Sequence, residues 1–273
     1  MTPNTISNHL LLFQIVIATI VSNLGLTCLA HNGGSDVTTE DGIVSESSAD
    51  FETDRIVTNN GEKLQITFIG HGTLMIQYED KIIHIDPWTK MADYTKLPKA
   101  DIILITHEHQ DHLDPKAVEL LQQESTRIIL TKVCKEKITD GIVTQNGDTR
   151  ELFDNVNLLA IPAYNLVHKR PSGEPFHPKG RGNGYIIDFK GTHIYIAGDT
   201  ENISEMKALK NIDVAFLPMN LPYTMTPEMV ADAVKAFKPK ILYPYYYGDT
   251  DVNDLIELMA DQKDTEVRIR KLK

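Results

Sequence analysis

The run His107-Glu108-His109-Gln110-Asp111-His112 places three imidazoles and a carboxylate within six residues. Nitrogen and oxygen donors at that density suit a borderline cation such as zinc, with manganese and iron as alternatives. A cation held this way lowers the pKa of water from about 15.7 toward 7, so the chemistry expected is hydrolysis by a metal-bound hydroxide. A histidine-rich surface loop, or a cap for the following helix, is the plainer reading. It leaves the spacing of four ligand-type side chains unexplained.

The elements around this run must hold it still. Residues 102–105 are apolar and read as a strand that delivers the chain directly into the run. Asp114-Pro115 then starts a helix to about residue 123, with a carboxylate cap and proline in the first turn. Upstream, residues 64–69, 73–78 and 81–85 read as strands, with a turn at Glu79-Asp80. Downstream, strands are expected at 127–130, 156–161, 184–189, 193–197, 214–217 and 241–243, and helices from 132 and over 205–209, 227–237 and 252–259. Strands come first in pairs and then alternate with helices, which suits two sheets between helical layers better than one doubly wound sheet.

The run resembles the HxHxDH signature of the metallo-β-lactamase superfamily. Gly70-His71-Gly72-Thr73 resembles the early glycine-histidine turn of its lactonase-like and phospholipase-D-like branches. Ile85-Asp86-Pro87-Trp88 is similar to the family's strand-end Asp-Pro, and Ala197-Gly198-Asp199-Thr200 to its Gly-Asp-Thr turn. The resemblance runs from about Leu64 to the C-terminus and implies a four-layer αββα sandwich. It further implies that His107 and His109 bind one metal, Asp111 and His112 a second, and that Asp199 lies between them. Asp86 would orient a ligand imidazole or, equally, cap the turn before Pro87. Asp111, His71 and Tyr246 are the residues expected beside the reacting bond, with His71 as an active-site wall or hydrogen-bond donor. The activity implied is hydrolysis of an ester-like bond, a phosphodiester, a lactone or a related acyl group. The fold alone assigns no substrate.

Two positions depart from the family pattern. Where a Pro-Ala-x-His motif commonly supplies a ligand to the first metal, this chain has Pro162-Ala163-Tyr164-Asn165. Asn165, His168 and His177 are the candidate replacements, and His177 is preferred because prolines flank it on both sides. Where a late Pro-x-His motif commonly supplies a ligand, this chain has Pro244-Tyr245-Tyr246. A phenol with a pKa near 10 is a poorer ligand than imidazole, so Tyr246 implies a weak second site or a donor to substrate. These departures motivate an alternative function, an exported metal- or ligand-binding protein without turnover.

The remaining signals bound the setting. A net charge of −11 argues against nucleic acid as a partner. A small-molecule substrate is expected instead. It would be anionic if Lys179 and Arg181, in the run Lys179-Gly180-Arg181-Gly182-Asn183-Gly184, cradle it, and the same run reads otherwise as a solvated loop. His84 and His193 fall in strand patterns and read as structural. Residues 1–35 hold no Lys, Arg, Asp or Glu, and residues 10–21 are almost wholly apolar. Residues 1–30 are therefore read as an export signal cut after Ala30 or a lipoprotein signal at Cys28, with a retained membrane anchor as the alternative. Residues 31–60 read as a flexible linker and 61–273 as the hydrolase domain. Cutting after Ala30 leaves Cys134 as the sole cysteine, so no disulfide staples the domain.

Overall fold

In a computed structural model, the structure of residues 51–273 is described. The expected export signal and most of the linker lie outside these residues. Two seven-stranded sheets carry the domain. The first contains β1 (Glu52–Val57), β2 (Lys63–Gly70), β3 (Thr73–Tyr78), β4 (Lys81–Ile85), β5 (Ile102–Leu104), β6 (Arg127–Leu130) and β7 (Ile142–Val143), in that spatial order. The second contains β8 (Thr149–Phe153), β9 (Val156–Ala163), β10 (Gly182–Phe189), β11 (Thr192–Ile196), β12 (Val214–Pro218), β13 (Ile241–Tyr245) and β14 (Glu266–Val267), again in chain order across the sheet. Each sheet begins antiparallel and turns parallel at its fourth strand, β4 to β5 and β11 to β12.

Period-2 burial explains the layering. Along β5, Ile102 and Leu104 face the core between the sheets, and Ile103 packs outward with Ile105. Along β12, Val214 and Phe216 face inward while Ala215 and Leu217 face outward. The outward side of the first sheet is covered by α1 (Pro115–Leu121), through Ala117, Val118 and Leu121. The outward side of the second is covered by α2 (Ser204–Lys207), α3 (Pro227–Phe237) and α4 (Val252–Met259). The result is the expected αββα sandwich. Asp114 caps α1 through the amides of Lys116 and Ala117, and its other oxygen accepts from Thr89, which ties the loop after β4 to the helix start.

The sequence reading is corrected at three places. Residues 52–57, assigned to the linker, pair antiparallel with β2, and Asp54 there meets Arg270 at 2.7 Å and Arg268 at 3.5 Å near the C-terminus. The alternation of half-buried and exposed residues in β1 is too weak an apolar signal to read as a strand. The helix expected from residue 132 is only a 3-10 turn, Cys134–Glu136, with the Cys134 thiol buried. The glycine-rich run is neither a solvated loop nor an anion cradle beyond residue 181: Gly182 and Asn183 open β10 and pair with Ala163 and Pro162.

Candidate metal centre

Six chain segments converge at one end of the sandwich, each just past a strand: those after β2, β4, β5, β9, β11 and β13. The run after β5 makes a tight turn in which the amides of His112 and Leu113 both bond to the carbonyl of His109. This folds three imidazoles and Asp111 back on one another. One group of donors is His107, His109, His177 and Asp199, and a second is His71, Asp111 and His112; within each, the ligand atoms lie within 4.8 Å of one another. Asp199 faces both groups. Its Oδ2 is 3.1 Å from His177 Nε2 and 3.7 Å from His107 Nε2, and its Oδ1 is 3.5 Å from His112 Nε2.

The arrangement fits a cation on its own terms. His109 Nδ1 is approached by His107 Nε2 at 3.0 Å and by His177 Nε2 at 3.2 Å, a convergence of ring nitrogens that protons alone satisfy poorly. His112 Nε2 and Asp199 Oδ1 are buried and have no hydrogen-bond partner among the described residues. Burial and the neighbouring imidazoles of His112, His177 and His109 hold His107 well below the usual histidine range. Burial opposes charge on His112 too, but Asp199, Asp86 and Asp111 outweigh it and lift that ring to about 10. A position where carboxylates so favour positive charge is suited to a metal as well.

Neighbouring residues fix the orientation of the rings. Asp86 sits 2.8 Å from His112 Nδ1 and also accepts from the amide and hydroxyl of Thr106. It is the imidazole orienter that the sequence left as one of two readings. Asn165, at the family's usual histidine position, lies beside a histidine from elsewhere: its Oδ1 accepts from the His177 amide at 3.0 Å and lies 2.6 Å from His177 Nδ1. Its amide nitrogen donates to Glu201 and to the Tyr223 carbonyl. Asn165 therefore turns His177 Nε2 toward the donor group rather than offering its own oxygen. His168 is turned elsewhere, with Nδ1 at 2.8 Å from Glu201 Oε1. Glu201 also accepts from the amides of Leu166, Val167 and His168, and so holds the loop after β9 in place.

The second group is closed by backbone that few side chains tolerate. His71 and Tyr246 both have left-handed φ values, 56° and 47°, and the Tyr246 amide donates to the His71 carbonyl. His71 Nε2 lies 3.1 Å from Asp111 Oδ2, and Tyr246 Oη donates to the same oxygen at 3.2 Å. Burial, then Asp199 and Asp111, push the Tyr246 phenol upward. Next to His71, a Cβ on Gly72 would lie 2.7 Å from His112 Cε1, so only glycine lets this ring approach the turn. Among these residues His71, Asp111, His109, His177 and Tyr246 reach a surface cleft of about 410 Å³, which Arg170, Phe176, Asn220 and Tyr223 also line. Lys179 and Arg181 are engaged elsewhere: Lys179 lies 2.9 Å from Glu205, and Arg181 lies 2.7 Å from Glu108. Their place as an anion cradle is corrected accordingly. His84 bonds to the Pro98 carbonyl and His193 to the Asn211 carbonyl, both away from the centre.

A sandwich of this topology with a histidine-aspartate cluster at its strand ends defines a metallo-hydrolase class, and the comparisons with known proteins agree. Residues 65–246 match the family model described as a beta-lactamase superfamily domain. UPF0173 metal-dependent hydrolases from Pelotomaculum thermopropionicum and Thermococcus kodakarensis are each 30% identical, over 196 and 197 residues, spanning 68% of this chain and 85% of each relative. A crystal structure from Parabacteroides distasonis, provisionally described as a metal-dependent hydrolase, is 49% identical with a TM-score of 0.78. It covers 82% of this chain and 100% of that one. Igni18, a metallo hydrolase from Ignicoccus hospitalis, shares the fold at 24% identity and a TM-score of 0.65, over 77% of this chain and 95% of that one. The chain belongs to the β-lactamase superfamily, as a metal-dependent hydrolase of the UPF0173 group.

Proposed function

We propose that the protein hydrolyses an ester-like bond, a phosphodiester, a lactone or a related acyl group, at a two-cation centre. The observation that carries this reading is the pair of adjoining donor groups, with Asp199 facing both and members of each opening into the cleft. His107, His109 and His177 would hold the first cation, Asp111, His112 and His71 the second, and Asp199 would lie between. The donor set of imidazoles and carboxylates suits zinc first, with manganese or iron as alternatives. Such cations, when bound, make water a nucleophile at neutral pH and polarise the bond to be cut.

The chain's own residues do the rest. Asn165 and Asp86 hold the rings of His177 and His112 so that each Nε2 faces inward. Tyr246 Oη, which donates its one proton to Asp111 Oδ2, lies at the cleft wall and would turn that proton to an oxygen of the substrate. The departures at Asn165 and Tyr246 suggested a binder without turnover. With His177 among the first donor group and His71 among the second, each group would have a histidine in place of the one lacking, which favours turnover over that reading. Residues 1–30, read as an export segment, would carry this activity out of the cytoplasm. The function is tested with protein reconstituted in zinc, manganese or iron and offered bis(4-nitrophenyl) phosphate, 4-nitrophenyl esters and acyl lactones. Metal-dependent turnover on at least one class is expected, and none on any class with any metal would overturn it.

A further inference from the structure

We infer that Arg170 recognises the substrate and that the substrate carries an oxyanion, a carboxylate or a phosphate, beside the bond that is cut. This rests on the hydrolase reading above and deepens it. Arg170 is the only lysine or arginine among the described residues lining the cleft, and no carboxylate among them lies within ion-pair distance of it. The two neighbouring cations that the sequence suggested for an anion are already neutralised by Glu205 and Glu108. The backbone of Arg170 is held firmly. Its amide donates to the Glu174 carbonyl at 2.7 Å, its carbonyl accepts from the Gly173 amide at 2.8 Å, and Lys169 bridges Pro175 across the same turn.

The side chain is aimed at the centre. Arg170 Nη2 lies 3.3 Å from His109 Nε2 and 3.3 Å from the Phe176 carbonyl, with the guanidinium 5.2 Å from the Phe176 ring. His109 points its Nδ1 at His107 and His177, so as a ligand it would use that atom and carry its ring proton on Nε2. Arginine offers donors only. Two N–H groups, one of them cationic, then face the same small region, and an oxyanion is the acceptor that satisfies both. The carbon skeleton attached to such an anion meets Phe176 and Tyr223, whose rings pack edge to face with centroids 5.1 Å apart. Since the protein carries a formal charge of −11, local compensation of this kind is what an anionic substrate requires.

The test compares wild type with Arg170→Ala and Arg170→Lys, all zinc-loaded. On mono-4-nitrophenyl glutarate, kcat/KM is expected to fall about ten- to hundredfold in Arg170→Ala, chiefly through KM, while 4-nitrophenyl acetate changes less than about twofold. Arg170→Lys should recover part of the loss, since it keeps the charge without the planar fork. Calorimetric titration with phenylphosphonate and with phenylacetate gives a readout independent of turnover. Weaker binding of the phosphonate alone assigns a phosphate, of the acetate alone a carboxylate, and of both a general oxyanion site. Equal losses on the two esters, or unchanged binding of both anions, would overturn the role of Arg170. If wild type hydrolyses neither ester, simple acyl esters are excluded as the bond cut, the phosphodiester and lactone assays decide the hydrolase reading, and the binding titrations still decide the arginine.

Discussion

Asn165 and His177 show how a histidine from another part of the chain can be brought beside His107 and His109 where the loop after β9 carries none. The loop after β9 keeps its path through Glu201, which gathers the amides of three successive residues, and Asn165 uses its oxygen on the incoming imidazole. A hydrogen bond to the far nitrogen of a ligand histidine fixes its tautomer and typically matters 10- to 100-fold in metal affinity. Asn165→Ala is therefore expected to weaken metal retention by about that factor, read by competition with a chromogenic chelator, while His177→Ala loses one cation altogether. His109→Ala and Asp111→Ala are expected to abolish turnover with little change in the melting temperature. Unaltered turnover in either would contradict their place in the centre. Much of this was legible in the sequence, because His107, His109, Asp111 and His112 are neighbours along the chain. Arg170 was not, since its approach to His109 spans 61 residues and depends on how a loop folds back.

At the scale of elements, the strand ends decide the geometry. Apolar runs, continuous in β5, β6 and β12 and broken by polar residues elsewhere, made β2 to β6 and β9 to β13 readable, whereas β7 and β14 are two residues long and β8, Thr149-Arg150-Glu151-Leu152-Phe153, is mostly polar. The turn between β2 and β3 sets a requirement at the centre itself. Gly72→Ala would press a methyl group against His112, and overpacking of this kind costs about 1–3 kcal/mol. A lowered melting temperature together with loss of the second cation is expected. A variant of normal stability and metal content would show that the turn yields more easily than its contacts imply. That His71 comes beside Asp111 could not be read from spacing, because it depends on left-handed backbone at His71 and Tyr246 at once.

Over the described residues, the first strand and the C-terminal segment are tied together. Asp54 in β1 meets Arg268 and Arg270, and the Tyr243 hydroxyl donates to it. Burial opposes its ionisation, but Tyr243, Arg270 and Arg268 outweigh burial and hold its carboxyl below the usual 3.8. A folded-state pKa below the unfolded one stabilises the fold above the unfolded value and is lost as pH falls through the folded value. Asp54→Asn is therefore expected to lower stability by about 1.5–3 kcal/mol at neutral pH, with the gap from wild type narrowing below about pH 4 in urea titrations. A gap that is constant down to pH 2 would assign the effect to packing instead of charge. Cations bound only by the folded chain add stability in the same way, so chelation should lower the melting temperature and zinc should restore it.

The most direct measurement is the metal content of the purified full-length protein, by elemental analysis after zinc reconstitution, for wild type, His71→Ala and Tyr246→Phe. Two adjoining donor groups, with His71 as a ligand and Tyr246 as a hydrogen-bond donor, predict about two cations per chain in wild type and in Tyr246→Phe, and about one in His71→Ala. Two cations retained in His71→Ala but lost in Tyr246→Phe would reverse those roles, and a wild type holding fewer than two would contradict the two-cation centre itself.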